Sequence, residues 1–380
     1  MDKVCGLDVH KDSVFACILD EKGKKILEER YGVLTPDLDE MRDVLVNHGV
    51  GRVAMESTSI YWFPVKRVLE SDFQVTVVNP YFIKQLPGRK TDVKDAHWIA
   101  QCLQKDLIRG SYVPDWDLQQ MRQYSRRYHY LNRNKVRVEQ RIDNHLQQCN
   151  IRFSNYISNQ GDNVSMRKFI KALIDGERDP DKLCRLVHGR TINKHGRDII
   201  TAALTGVING TDIEMLRQCM EELELIEKQQ STCIESLEEL ANRHYAEEIS
   251  LLCTIPSIKK LSALLILAEL GGDMDAFYTA AMLVSWAGLR PRNDESAGKI
   301  RSRKTLHGNK YLRLILIEIA WSASLSNKTF LGAKYRQLAK RMIHQKALLA
   351  IARKLLVIIY CVLSKKQTFD HNRNSKAITA

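Results

Sequence analysis

Apolar residues fall in short blocks and alternations over the first eighty positions, then settle into helical spacing for most of the remaining chain. Residues 4–7, 14–19 and 26–31 read as three short strands, which form an antiparallel meander. Leu38, Met41 and Leu45 then recur at helical spacing within residues 37–48. Residues 53–55 are a fourth strand, residues 61–69 a helix, and residues 75–78 a strand stopped by Asn79-Pro80. A further helix starts near Thr91. The order β-β-β-α-β-α-β-α predicts a mixed sheet with helices on its faces.

Beyond Pro114 the pattern is almost wholly helical. Residues 118–146 form one long helix. Residues 151–210 are broken by Asp179-Pro180 and several glycines into short helices. Residues 212–243 return to strong periodicity, with Met215, Met220, Leu223, Ile226, Ile234, Leu237 and Leu240 apolar and a Glu-rich opposite face. That spacing predicts a helical hairpin or coiled coil with the earlier long helix, and such an arm often dimerises. Residues 262–270, 282–287, 311–324 and 345–365 read as helices of a closing domain. Residues 288–313 read as a basic loop by composition, and the tail from Gln367 as loose. The division is 1–114, 115–250 and 251–380.

Composition sharpens this picture. The 380 residues carry a formal net charge of +13, which points to a polyanionic partner, nucleic acid before an anionic membrane. Nine scattered cysteines with no C-x-x-C pair argue for reduced thiols in a cytosol rather than a zinc site. An acid at Asp2 stands where a signal peptide has an apolar run. Residues 348–363 contain Arg353 and Lys354 and read as too short and too charged to span a bilayer. His145, His188 and His195 do not fall at metal-ligand spacing.

The candidate chemistry lies at element ends. Asp8 closes the first strand, Glu56 closes the fourth, and Asp92 and Asp95 share one face of the last helix of the first domain. Taken alone, Asp92 and Asp95 suit a surface helix capped by Thr91, because acids in the first turn complement the helix dipole. Asp8 alone suits a strand-end turn. Strand ends of such sheets are where ligand sites collect, and four converging carboxylates need cations between them. Two Mg²⁺ ions would neutralise them, with Mn²⁺ as a substitute.

In the long helix, Arg122, Arg126, Arg127 and Arg133 stand among Tyr124, Tyr128 and Tyr130. A basic helix with interleaved aromatics can track a phosphate backbone and stack on bases. It can equally be a solvated amphipathic helix that packs Leu131, Val138, Ile142 and Leu146 inward. The last domain holds a second loaded stretch, with Arg290, Arg292, Ser296, Lys299, Arg301, Arg303 and Lys304 close in sequence. Its cations suit phosphodiester oxygens and transition-state charge, or a plain backbone grip.

The order and spacing of Asp8, Glu56, Asp92 and Asp95 resemble the ribonuclease-H-like fold of RuvC-type Holliday-junction resolvases. The words Gly6-Leu7-Asp8-Val9-His10-Lys11, Met55-Glu56-Ser57-Thr58 and Lys90-Thr91-Asp92-Val93-Lys94-Asp95-Ala96 resemble those of the DEDD insertion-sequence transposases, the "IS one-ten" family. The C-terminal stretch is similar to the same family's transposase domain. There an alanine-glycine-leucine segment precedes a serine-glycine word and a His/Lys-Gly-Asn…Leu-Arg word. Two departures stand out. Ala297 separates Ser296 from Gly298, which leaves Ser302 as a weaker second candidate. Ser257 and Lys259 occupy the usual glycine positions of the Thr254-Ile255-Pro256 turn.

The resemblance implies an α/β ribonuclease-H-like (RuvC-like) N-terminal domain, a long helical coiled-coil middle and a mostly α-helical C-terminal domain. It implies a transposase or site-specific DNA recombinase guided by an element-encoded RNA, the bridge RNA. In that reading Asp8, Glu56, Asp92 and Asp95 hold Mg²⁺, and Ser296 forms a covalent 5′-phosphoserine link. Donor and target DNA duplexes are the other partners. The protein is expected to be a homo-oligomer, a dimer at least and a tetramer at the synapse, cytoplasmic and nucleoid-associated, with no membrane. The alternative is a metal-dependent Holliday-junction-type endonuclease in which water attacks.

Overall fold

A computed structural model describes residues 3–57, 59–80, 83, 95–108, 110–157, 164–291, 294–296, 299–302, 305 and 307–370. The chain divides into two compact units, Met1–Pro114 and Asp115–Ala380.

The first unit is built on a five-stranded sheet of β1 (Lys3–Val9), β2 (Val14–Leu19), β3 (Lys25–Tyr31), β4 (Val50–Glu56) and β5 (Gln74–Val78). The order across the sheet is β3-β2-β1-β4-β5. The hairpin partners β1–β2 and β2–β3 are antiparallel, and β1–β4 and β4–β5 are parallel. The central strand β1 is buried on both faces, hence its near-continuous apolar run. The edge strand β3 is largely exposed and carries Lys25, Glu28, Glu29 and Arg30, charges that discourage further strand pairing.

Period-two alternation sends Cys5, Leu7, Val9, Val53 and Met55 to one face. There they bury Leu38, Met41 and Leu45 of α1 (Thr35–Asn47) and Val65 and Leu69 of α2 (Trp62–Leu69). Val4, Cys17, Leu19, Ala54 and Val78 face the other way, onto α3 (Asp95–Gln104). α3 presents Ala96, Ile99, Ala100 and Leu103 to them.

The second unit opens with the 33-residue helix α4 (Trp116–Gln148), capped by Asp115, whose carboxylate accepts from Leu118 N at 2.8 Å. A one-turn 3-10 segment, Phe153–Tyr156, and short helices α5 (Val164–Ile174), α6 (Pro180–Cys184), α7 (Gly189–His195) and α8 (Arg197–Leu204) follow. The 35-residue α9 (Gly210–His244) starts on a reciprocal Asn209–Asp212 capping box and packs along α4. Phe153 and Phe169, both fully buried, anchor the core between these elements.

The chain then folds α10 (Ala246–Cys253), α11 (Lys260–Leu270), α12 (Ala280–Trp286), α13 (Lys310–Ser324), α14 (Phe330–Ala339) and α15 (His344–Lys365). Every residue of α11 from Ala263 to Leu270 is buried, so this helix is apolar all round rather than amphipathic. It touches α4, α9, α10 and α13.

Two sequence expectations change here. The stretch read as a loop holds a two-stranded antiparallel hairpin, β6 (Asp294–Ser296) and β7 (Lys299–Ser302). Ile300 is the one apolar residue of its strands, so no alternation marks it. The helix α15, read as too short for a membrane, is 22 residues and is long and apolar enough to cross one. Its apolar stripe of Leu348, Ile351, Leu355, Ile359 and Val362 is buried, and the helix packs against α10, α12, α13 and α14 as a core helix does.

Candidate functional site

In the first unit the carboxylates are gathered by strand pairing. Leu7 pairs with Met55 across the parallel β1–β4 ladder, so Asp8, next to last in β1, and Glu56, last in β4, lie side by side at the C-terminal ends of these neighbouring strands. Val4 and Ala54 face α3, and the two-residue period puts Asp8 and Glu56 on that same face.

α3 is held there by Gly6. A Cβ at this position would come within 2.2 Å of the Ala96 carbonyl oxygen and 2.4 Å of Ala100 N, so only glycine admits the helix this close. At its far end Gln104 Nε2 donates to the Asp20 carbonyl at 2.6 Å. Asp20 follows Leu19, which pairs with Val4 at the start of β1. The helix therefore runs antiparallel to β1, and its N-terminal residue Asp95 lies toward the Asp8–Glu56 edge. Carboxylates also suit the positive end of the helix dipole.

His10 adds a member that the sequence did not mark. Its Nε2 lies 3.1 Å from Asp8 Oδ2; His10 is half exposed and the Asp8 side chain only 18% exposed. The clue was its place two residues beyond Asp8, on the same side of the chain. Asp92 lies outside the described residues. Among those described, no three His, Cys, Asp or Glu side chains stand close enough to hold a metal ion. The donor chemistry nevertheless fits a hard divalent cation, since Asp8, Glu56 and Asp95 offer only carboxylate oxygens.

In the second unit Ser296 ends β6 and pairs with Lys299. The hairpin base is tied down at several points. Pro291 bridges Thr305, and Arg313 donates to Thr305 Oγ1 at 2.9 Å and to the Gly288 carbonyl at 3.2 Å. Asn309 N donates to the Trp286 carbonyl at 3.0 Å. The Asn309 side chain caps α13 by accepting from Tyr311 N and Leu312 N. The Gly-Asn…Leu-Arg word is thus a structural clasp under the hairpin. Arg292, Arg303 and Lys304 lie outside the described residues; Lys299 and Arg301 belong to β7, and Arg290 is exposed.

Along α4 the arginines divide. Arg126 Nε and Nη2 each lie 3.0 Å from the two carboxylate oxygens of the fully buried Glu269. Burial is the largest influence and pulls the Arg126 pKa down, but the hydrogen bonds and charge of Glu269, together with Tyr311, raise it above the ordinary value. Arg122 donates to the Ala268 and Glu269 carbonyls. Both side chains are thus turned into the protein. Arg127 donates to Gln229 at 2.9 Å. Arg133 is exposed and has no ion-pair partner among the described residues, and Arg137 is the same. His129 is buried; burial first, then Arg133, lower its pKa against the opposing pull of Glu269.

The two stretches that carry these sites each match a transposase family model. Residues 5–151 match one described as a transposase of the DEDD class, and residues 249–336 match one described as the transposase IS116/IS110/IS902 family. A pilin gene-inverting protein of Moraxella bovis is 35% identical over 124 residues, 32% of this chain and 38% of that protein. The pilin gene-inverting protein of Moraxella lacunata gives the same figures, so the match spans about two fifths of these relatives. The transposase for insertion sequence element IS1111A of Coxiella burnetii is 23% identical over 377 residues, 97% of this chain and 91% of that protein. The two family matches define a DEDD-class transposase chain. Within that class, this chain belongs to the IS110 family.

Proposed function

We propose that the protein is a DNA transposase or site-specific recombinase that cuts and rejoins strands at an insertion sequence. The observation that carries this is the placement of Asp8 and Glu56 at one edge and one face of the sheet, with α3 docked on that face through Gly6 and Asp95 at its near end. The strand order β3-β2-β1-β4-β5, a meander followed by two parallel strands, supports a ribonuclease-H-like reading of the first unit. We assign residues 1–114, 115–250 and 251–380 as carboxylate domain, helical arm and serine domain.

In this reading Asp8, Glu56, Asp92 and Asp95 hold divalent cations, Mg²⁺ or Mn²⁺. When bound, these supply Lewis-acid polarisation of the scissile phosphate. His10 orients the Asp8 carboxylate. Ser296 Oγ attacks phosphorus; the Oγ–P bond forms as the bond to the 3′ oxygen breaks. The serine proton is given up and the departing oxygen gains one, leaving a 5′-phosphoserine and a free 3′-hydroxyl. That hydroxyl reverses the step on the other duplex and strands exchange.

The basic residues Arg127, Arg133, Arg290, Arg292, Lys299, Arg301, Arg303 and Lys304 bind nucleic acid, donor and target DNA with a guide RNA. Arg122 and Arg126 hold Glu269 instead. Both chemistries act on one phosphodiester, and the working assembly is a dimer at least, with a tetramer at the synapse, in the cytoplasm. The direct test is strand cleavage by the full-length protein with its RNA and duplex substrates. Cleavage should require Mg²⁺ or Mn²⁺ and be lost in Asp8→Ala, Glu56→Ala and Asp95→Ala. Cleavage that persists in all three variants would refute the assignment.

A further inference from the structure

Glu269 is a charged side chain with no exposed surface, set near the end of the otherwise apolar buried stretch Ala263–Leu270 of α11. An ionised carboxylate placed there is costly unless it is paired and hydrogen-bonded on every side. Its partners come from two directions. Arg126 of α4 grips it with two hydrogen bonds, and Arg122 Nε stands 3.8 Å away. From the other side Asn309 Nδ2 donates to Glu269 Oε2 at 2.6 Å. The Arg126 guanidinium also stacks over the Tyr311 ring, 4.7 Å from its centre.

Asn309 is the junction. One amide group caps α13 with its oxygen and binds Glu269 with its nitrogen, while its backbone N–H holds Trp286. Beside it, a Cβ on Gly308 would fall 2.2 Å from Gly288 N, so the chain here is clamped against the segment that enters the hairpin. One turn along α13, Arg313 ties Gly288 to Thr305, and Thr305 bridges Pro291. An unbroken chain of contacts therefore runs from the α4 arginines through Glu269 and Asn309 to the base of β6 and β7.

We propose that Glu269 is a positioning residue for Ser296. Its buried carboxylate fixes Asn309, and Asn309 fixes the hairpin base on which the serine is presented. This rests on the reading of Ser296 as the nucleophile. Small displacements of a reacting group can cost about a hundredfold in rate, so loss of this anchor acts on the chemical step rather than on DNA binding.

The test uses full-length protein with RNA and labelled duplexes, and compares Glu269→Gln, Asn309→Asp and the double variant. Asn309→Asp keeps a good helix cap but sets two carboxylates against each other. The double variant restores the hydrogen bond with donor and acceptor exchanged, and keeps one negative charge in the cluster. Each single variant should lower the rate of Ser296–DNA adduct formation at saturating DNA by about tenfold or more, with DNA affinity retained. Amide hydrogen exchange over residues 294–302 should quicken in the single variants and slow again in the double variant, together with recovered adduct formation. If Glu269→Gln does not fold, Asn309→Asp carries the comparison. Wild-type adduct rates and exchange in a folded single variant would overturn the proposal. So would a double variant no better than either single. An adduct that survives Ser296→Ala would overturn the serine reading instead, and the exchange measurement would still decide whether Glu269 sets the hairpin.

Discussion

Single residues in this protein do work that their side chains alone do not announce. Gly6 sets how closely α3 approaches β1, and with it the place of Asp95 relative to Asp8. Gly6→Ala forces backbone against backbone, with the new carbon 2.2 Å from Ala96 O. Overpacking of this kind costs about 1–3 kcal/mol, so thermal unfolding of the variant should shift down and cleavage should fall with it. Unchanged stability would mean that α3 is not seated as described.

Ser257 is the converse case. It holds φ at +72° in the turn before α11, a conformation that favours glycine. Ser257→Gly should stabilise the protein by about 1 kcal/mol, read as a rise in the denaturation midpoint. His129 gives a pH signature. Its pKa is held below the ordinary value by burial, so the unfolded chain takes up the proton first. Its contribution is fully present above the ordinary histidine value of 6.5 and declines as pH falls through that value toward the lower folded one. His129→Gln should flatten that part of the stability profile.

At the scale of elements, α4 and α9 are joined by an apolar seam and by charge. Glu227 of α9 accepts from Arg167 and also faces Lys135. The Arg167 hydrogen bonds, helped by Lys135, hold its carboxyl down to about 2. A depressed carboxyl contributes stability above its unfolded value of 4.5 that is lost as pH falls toward 2. Glu227→Gln should therefore remove part of the acid-induced loss of α-helical signal in that window.

The outward face of α4 is tested differently. Arg133→Ala and Arg137→Ala should each weaken nucleic-acid binding and reduce the salt-dependence slope by about one, measured by titration at several salt concentrations. Arg122→Ala should instead lower stability while leaving that slope unchanged.

The strands and long helices were legible because their apolar periods are strong. The convergence of Asp8 and Glu56 follows from their places at strand ends, but the Leu7–Met55 register that sets them side by side is fixed by long-range pairing that the sequence does not show. What escaped reading has physical causes. β6 and β7 have Ile300 as their one apolar residue, so no face marks them as strands, although two residues including a glycine between Ser296 and Lys299 are a hairpin signal. The inward turn of Arg122 and Arg126 was invisible because their partner Glu269 is more than 140 residues away, in a helix that reads as wholly apolar around it. His10 carries no sequence signal of its own beyond its place two residues after Asp8.

For the whole molecule, the claim is that a carboxylate edge in one unit and a serine hairpin in the other serve one strand-transfer reaction. In the proposed reading the net charge of +13 attracts the nucleic acid, the strand ends bearing Asp8 and Glu56 would hold the cations, and Ser296 would supply the attacking oxygen. A hydrolytic junction nuclease would use the first two and not the third, so the covalent intermediate separates the readings. The measurement is a trapping assay. Full-length protein, the RNA transcribed beside its gene, Mg²⁺ and labelled donor and target duplexes are mixed and resolved on denaturing gels. A protein-linked strand that disappears in both Ser296→Ala and Asp8→Ala is the expected result. Free cut ends without any adduct, produced equally by Ser296→Ala, would contradict the serine mechanism and leave the hairpin a phosphate grip.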